Sequence, residues 1–213
     1  MVAESTGLTK SERTRKSILD AAEELFSANG YEGASLDAIG DRAGIQGTAI
    51  LYHFSSKQVL YEATLERIFN PLFAELNEIL TSDGPVEVRL DAAVGAIVTY
   101  AGERPNAARL LLRETASPGG DARAIIEAKA RTGVIASIMD VFASQSKVKG
   151  VDPVMVANII VGAVCFYFVG PPSLAGDNSY DPRSPELVHA FSDVMRDLTR
   201  SLLRLDWQIG QTS

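Results

Sequence analysis

Residues 44–60, GIQGTAILYHFSSKQVL, place small and polar side chains where a buried helix would carry apolar ones. Thr48, Tyr52 and His53 can form hydrogen bonds, and Lys57 adds a positive charge after two serines. Ile50 and Phe54, one helical turn apart, are expected to face a core. These groups can reach base edges and phosphate oxygens, so the segment indicates contact with a nucleic acid.

Patterns typical of catalysis or metal binding cannot be assembled from the rest of the sequence. The chain has 1 cysteine, Cys165, and 2 distant histidines, so neither an internal disulfide nor a metal-ligand cluster is predicted. A helical enzyme is the weaker interpretation because no nucleophile set, carboxylate pair, phosphate-binding glycine loop or dinucleotide fingerprint is present. We therefore expect no enzyme activity, no cofactor and no metal.

Composition and charge narrow the class further. The 213 residues are 46% apolar, enough for a substantial core. The sequence has no secretory signal pattern, and its most apolar stretch is shorter than the ~20 residues that span a bilayer, so a soluble cytoplasmic protein is expected. The net charge of -7 argues against a protein that coats nucleic acid. Residues 10–16, KSERTRK, nevertheless form a local basic segment that includes Arg15.

Apolar residues recur at helical spacing almost throughout, which predicts an all-α fold. A first helix is expected from about Ser11 to Ala28, ended by the left-handed Asn29-Gly30 stop. Ser35 is expected to cap a second helix of about two turns that Gly44 ends.

The chain is then expected to form a short third helix and a long fourth one. Ser55 with Gln58 has the pattern of a capping box, so the fourth helix should begin at Lys57. Pro71 lies inside that helix and predicts either a kink near Asn70 or two abutting helices.

A helical bundle is expected to follow the fourth helix. In three places, a capping residue or turn precedes a proline at the expected first helical position. Further helices are predicted at roughly 85–103, 105–115, 121–146, 152–169 and 185–205. The predicted domains are an N-terminal domain at 1–57, ordered from about residue 9, and a helical bundle at 58–213.

The first three helices fit a helix-turn-helix, in which the second helix of the motif enters a major groove. Small residues at its start let the backbone approach base edges, and the capped helix N-termini at Ser35 and Lys57 suit phosphates. The expected DNA contacts are Arg15, Ser35, Gln46, Gly47, Thr48, Ala49, Tyr52, His53 and Lys57. For His53, a second interpretation is a partly buried side chain that closes the small bundle.

Residues 11–60 resemble the DNA-binding domain of the tetracycline-repressor (TetR) family. The resemblance covers the I-L-x-A-A-x-x-L-F helix, the N-G-Y turn, the short helix ending A-G-I, the Y-H-F end of the recognition helix and S-K-x-x-L. It implies phosphate contacts at Ser35, Tyr52, His53 and Lys57, with base-proximal roles for residues 46–49. Leu51 stands where the family often has a tyrosine, and Gly47 stands where a larger polar residue is common.

The family resemblance also implies a homodimer that binds a palindromic operator and a small-molecule effector, with the last two long helices as the dimer interface. A repressor released by its effector is the leading interpretation, and an interaction module with a vestigial DNA-binding domain is the alternative. The helix at 152–169 is apolar on nearly every face, which supports burial against a second subunit. The candidate effector contacts are Tyr100, Arg109, Arg113, Asn158, Cys165 and Phe166, with core packing or surface salt bridges as the alternative for them.

Overall fold

The computed structural model describes residues 9–116, 152–170 and 180–203. Within these ranges the chain forms eight helices and no strands, which confirms the all-α prediction. The predicted helix at 121–146 and the last residues of the helix predicted at 185–205 lie outside the described ranges. The helices are α1 (Lys10–Gly33), α2 (Leu36–Ala43), α3 (Gly47–His53), α4 (Lys57–Thr81), α5 (Val86–Glu103), α6 (Pro105–Ala116), α7 (Pro153–Val169) and α8 (Pro185–Leu202).

Helix α1 begins at a complete capping box and is interrupted near its end. The Thr9 side chain accepts a hydrogen bond from the Glu12 amide, and the Glu12 carboxylate accepts one from the Thr9 amide. Gly30 has a φ of 74°, so the predicted left-handed stop is present. The chain resumes helical turns from Tyr31 to Gly33, which the sequence pattern did not predict.

Two of the predicted caps in the next helices are confirmed, and a third is shifted by one residue. Ser35 Oγ accepts a hydrogen bond from the Ala38 amide at 3.1 Å, and Gly44 ends α2 with a φ of 76°. The prediction that Ser55 caps α4 is wrong. The Val59 amide donates to Ser56 Oγ at 3.1 Å, because Ser56 is the residue directly before the first helical turn.

Prolines have different roles in the later helices. Helix α4 runs without a break through Pro71, so the alternative of two abutting helices is wrong. Pro85 is the N-cap residue of α5 and not its first helical residue as predicted. Asp152 and Ser184 cap α7 and α8 as predicted, each with a proline in the first turn.

The chain divides into two compact units, Met1–Arg67 and Ile68–Ser213, and the boundary falls inside α4. The described core of the N-terminal unit includes Ile18, Phe26, Ile39, Ile50 and Phe54. Arg42 of α2 binds Glu24 of α1 through two hydrogen bonds of 2.8 and 3.0 Å. The core of this unit therefore holds the second and third helices against the first.

The C-terminal unit has a core built from four of its helices. Buried residues of α5, α6, α7 and α8 pack together: Val94, Val98, Ala101, Ala108, Val156, Ile160, Val164, Cys165, Phe168 and Met195. Arg200 of α8 forms a hydrogen-bonded ion pair with Asp91 of α5, which ties these two helices together at their polar edge. No helix in the described ranges is both long and apolar enough to cross a membrane.

Candidate nucleic-acid interface

The turn between α2 and α3 depends on two glycines that allow close helix contact. A Cβ added to Gly40 would lie 2.7 Å from the Gly47 amide nitrogen, and one added to Gly47 would lie 2.3 Å from Asp37 Oδ1. These distances are shorter than a carbon side chain tolerates. The two glycines therefore set how closely α3 approaches α2.

Gly47 is buried in this contact, and its place beside a base stays a prediction. Its side-chain position faces Asp37 of the protein rather than solvent. A small residue at this position permits close approach to a base as well as to a neighbouring helix, so its type alone does not distinguish the two roles. The packing that occupies Gly47 comes from α2 and is not visible in the local sequence of α3.

Helix α3 separates its side chains into an inner and an outer face, as predicted. Ile50 and Phe54 are buried in the core of the N-terminal unit. Thr48, Ala49, Leu51 and Tyr52 are exposed, and Tyr52 is 85% accessible to solvent. Gln46 precedes the helix and makes no side-chain capping hydrogen bond, which leaves its amide to face outward. The outer face is thus open to an external partner.

The C-terminal end of α3 is held by Arg15 of α1. Arg15 Nη1 donates to the His53 carbonyl oxygen at 3.1 Å, and the guanidinium lies 4.1 Å from the centre of the Phe54 ring. A positive charge is favourable at a helix C-terminus. His53 is half-buried, and its ring meets that of Tyr52 edge-on at 5.3 Å. His53 is therefore partly buried, as in its second interpretation, and its contact with a phosphate stays a prediction.

Lys57 lies at the first residue of α4 and is engaged with the end of α1. Its ammonium lies 4.5 Å from the centre of the Tyr31 ring and 3.5 Å from the Glu32 carbonyl oxygen. Tyr31 also packs against Tyr61, with ring centres 5.0 Å apart. The aromatic ring orients the lysine at the N-terminus of α4, where free amides add partial positive charge.

Positive charge along α1 is divided between exposed and paired side chains. Lys10 and Arg13 are exposed at the start of the helix. Lys16 Nζ lies 2.9 Å from an oxygen of Asp20, which also binds Arg67 of α4. Burial alone would raise the pKa of the Asp20 carboxyl, but Lys16 and Arg67 together hold that pKa below its ordinary value. Asp20 is therefore a carboxylate at neutral pH and keeps Lys16 at the α1–α4 contact.

The six candidate effector contacts have different surroundings within the described ranges. Arg109, Arg113 and Asn158 are exposed, and Phe166 is 66% exposed on the outer side of α7. The Tyr100 hydroxyl donates to the Ile68 carbonyl oxygen.

Cys165 belongs to the core of the C-terminal unit, where burial raises the pKa of its thiol to about 11. Phe166 thus faces outward and Cys165 packs in the core, and a role of either residue in effector binding stays a prediction. Among the described residues, no group of His, Cys, Asp and Glu could hold a metal ion.

Residues 18–64 match the family described as "Bacterial regulatory proteins, tetR family". The HTH-type transcriptional activator FasR of Mycolicibacterium smegmatis is 39% identical over 93 residues, which cover 44% of this chain and 42% of FasR. The HTH-type transcriptional regulator RutR of Escherichia coli is 30% identical over 123 residues, which cover 54% of this chain and 58% of RutR. The chain thus spans about half the length of these curated relatives.

The whole fold also has relatives among solved structures. The transcriptional regulator FadR from Bacillus subtilis, solved in complex with stearoyl-CoA, has a TM-score of 0.64 and 18% sequence identity. That comparison covers 86% of this chain and 96% of FadR, which indicates a shared all-α fold. The match over residues 18–64 coincides with the helices that form the candidate interface. Residues 18–64 of this chain are therefore similar to the tetR family of bacterial regulatory proteins.

Proposed function

We propose that the protein is a sequence-specific DNA-binding transcription regulator that acts as a homodimer on a palindromic operator. The observation that carries this proposal is the outer face of α3, which is exposed while the inner face is fixed by Ile50 and Phe54. A helix presented in this way can enter a major groove without disturbing the core behind it. Because bacterial DNA lies in the cytoplasm, the proposal assigns the protein to that compartment.

The proposed DNA contacts follow from exposure and position. Gln46, Thr48 and Ala49 lie at the start of α3 and face base edges. Tyr52, with its hydroxyl far from the core, and His53 reach phosphate oxygens beside the groove. Ser35 and Lys57 present phosphate sites at the capped N-termini of α2 and α4. Arg15 enters the proposal through its contacts with the end of α3.

The homodimer is proposed from the two faces of α7. Buried residues recur on one side at Val156, Ile160 and Val164. On the opposite side, four exposed positions follow one another at intervals of four, three and four residues, and we call them the seam of α7: Met155, Ile159, Gly162 and Phe166. Such spacing is typical of helices that pack against a partner helix.

Helix α8 adds a second exposed strip to the proposed interface. Ala190, Val194 and Leu198 are exposed at similar spacing. Other apolar residues of this helix and its C-terminal end pack into the core of their own unit: Val188, Phe191, Met195, Leu202 and Leu203. The proposed interface therefore uses only the exposed apolar residues of α8, because the other apolar residues are occupied in the core. A two-fold axis through it would pair recognition helices with half-sites about 34 Å apart, or a multiple of that.

Repression relieved by a small molecule is the proposed mode of regulation. A bound dimer can exclude other proteins from a promoter by occupying its site, whereas activation requires a further productive contact. FasR is described as an activator, so the position of the operator relative to the promoter decides the direction for this chain. Since FadR was solved with stearoyl-CoA, acyl-CoA thioesters are the first effector class to test. The alternative of a vestigial interaction module has no support from these relatives, which are transcription regulators.

Selection from random duplexes tests the proposed DNA binding. We expect a near-palindrome whose affinity falls with salt and is reduced at least tenfold by Tyr52→Ala, because a phosphate contact is lost at each half-site. Val88→Ala is the matched control, since Val88 is a 55% exposed apolar residue of α5 outside the interface. Equal binding of all sequences would refute the proposal.

Thermal unfolding with a panel of acyl-CoA thioesters and other metabolites tests the effector proposal. A compound that raises the unfolding temperature and weakens operator binding in the same concentration range is the expected result. If every compound that stabilises the protein leaves operator affinity unchanged, ligand-responsive regulation is refuted.

A further inference from the structure

The outer face of α3 carries methyl groups and no charged side chain. Thr48, Ala49 and Leu51 are exposed there, and we call these three residues the methyl face. Leu51 is 46% exposed although the adjacent Ile50 is completely buried. Ile50 therefore packs in the core, whereas the Leu51 side chain lies on the surface that is proposed to contact DNA.

A methyl face restricts the kind of base that α3 can recognise. In the major groove, guanine is usually read by arginine or lysine, and cytosine by an acidic side chain. Residues 46–52 contain none of these residue types. Thymine presents a C5 methyl group in the major groove, and side-chain methyl groups make favourable apolar contacts with it.

We propose that Leu51 and Ala49 determine operator specificity by packing against thymine C5 methyl groups. This inference rests on the proposed function and adds the chemical basis of the recognition. Ala49 and Leu51 are two positions apart in one helical turn, so they lie on opposite flanks of the exposed face and reach different base pairs. The Thr48 methyl group extends the same surface toward the N-terminus of α3.

Gln46 adds an amide group beside the methyl face, and the two kinds of group together suit recognition of A·T pairs. Its amide makes no capping hydrogen bond with the backbone of α3. A glutamine amide can pair with adenine N6 and N7 in the major groove. Methyl contacts to thymine and an amide contact to adenine together favour half-sites rich in A·T pairs at the positions facing α3.

Deoxyuridine substitution tests the methyl contacts directly. Uracil keeps the base pairing of thymine and lacks only the C5 methyl group. In the operator selected by the wild-type protein, each thymine of a half-site is replaced singly by deoxyuridine, with the same change in the other half-site. We expect affinity to fall about fourfold per contacted methyl at one or two positions, as for the loss of one buried methylene-sized group.

Leu51→Ala assigns one of those positions to its side chain. At one position, the variant is expected to bind the operators with thymine and with uracil with equal affinity. At the other contacted positions, uracil should still lower its affinity. Val88→Ala, on an exposed site of α5, should keep the full effect at every position. Circular dichroism of both variants checks that the fold is retained, which the exposure of both side chains leads us to expect.

The results separate this inference from the function on which it rests. A protein that selects an operator but binds all its uracil forms as tightly as the thymine form refutes the methyl contacts and leaves the DNA-binding function intact. A full uracil effect at every position in Leu51→Ala refutes the role of Leu51. A protein that selects no sequence refutes the proposed function, and the inference falls with it.

Discussion

Arg15 is predicted to affect DNA binding through the end of α3 and not through a phosphate contact. Its guanidinium donates to the His53 carbonyl oxygen at 3.1 Å and stacks 4.1 Å from the centre of the Phe54 ring. Both contacts fix the last turn of α3, which carries the exposed Tyr52. The basic segment at residues 10–16 therefore contains at least one arginine whose geometry indicates a positioning role.

Arg15→Ala should weaken operator binding about tenfold without changing its dependence on salt. The loss comes from a looser end of α3, since a cation–π contact and a hydrogen bond are each worth about 1 kcal/mol. A residue that neutralises a phosphate instead contributes to the slope of log affinity against log salt, at about 0.9 per phosphate. Titrations at four or five salt concentrations measure both quantities.

Arg13→Ala is the matched control for Arg15, because Arg13 is an exposed arginine on the same helix. We expect this control to reduce the salt slope, as removal of a phosphate contact does. A reduced slope in Arg15→Ala as well would show that Arg15 contacts phosphate and would contradict the positioning role.

Sequence patterns predicted the faces of α3 but not all of its contacts. Ile50 and Phe54 were predicted to face inward from their spacing alone, and both are buried. The burial of Gly47 could not be predicted in this way, because the atoms that exclude a side chain there belong to Asp37 of another helix. The contact of Lys57 with Tyr31 likewise joins residues distant in sequence. Local periodicity carries no information about such contacts.

Helices were more predictable than their ends. The period of apolar residues indicated each described helix, and the caps at Ser35, Asp152 and Ser184 are as expected. The cap of α4 was misplaced by one residue because Ser55 and Ser56 are adjacent and either could serve. The choice depends on which serine precedes the first helical turn, and Phe54, buried in the core, fixes that position.

Ser56→Ala should lower the free energy of unfolding of the N-terminal unit by about 1 kcal/mol, the usual loss for a serine N-cap. The Val59 amide loses its hydrogen bond to Ser56 Oγ, so its hydrogen exchange should also become faster. Ser55→Ala is the control and should change neither value, since Ser55 is exposed and precedes the cap. Urea unfolding and amide exchange measure the two effects. Equal losses in both variants would mean that Ser56 is not the principal cap.

At the scale of the whole molecule, the prediction of the kind of fold is confirmed, whereas the effector site stays a prediction. Helical spacing is a local property, and it was sufficient for the all-α prediction. The candidate effector residues were chosen for their chemistry, but a cavity is formed by distant segments whose arrangement is not encoded in spacing. Arg109 and Asn158 are accordingly exposed, and Cys165 is in the core.

Assembly is the property of the whole molecule on which the proposed operator binding depends. The seam of α7 exposes Phe166 by 66% in the single chain, beside Ile159 and the open position at Gly162. Water contact with so apolar a strip is unfavourable, and a second copy related by a two-fold axis would cover it. Dimerisation also links two recognition helices. Once one of them is bound to its half-site, the other binds the second half-site within the same complex.

Phe166→Glu should convert the dimer to a monomer and reduce operator affinity at least a hundredfold. A carboxylate in the seam would face its own symmetry copy or apolar side chains, and burying it is costly. The fold of the single chain should persist because Phe166 does not pack in the core. Val88→Glu is the matched control: it places the same charge at a 55% exposed apolar position of α5 and should leave a dimer. Light scattering with size-exclusion chromatography measures the mass, and a dimeric Phe166→Glu protein would exclude this face of α7 as the interface.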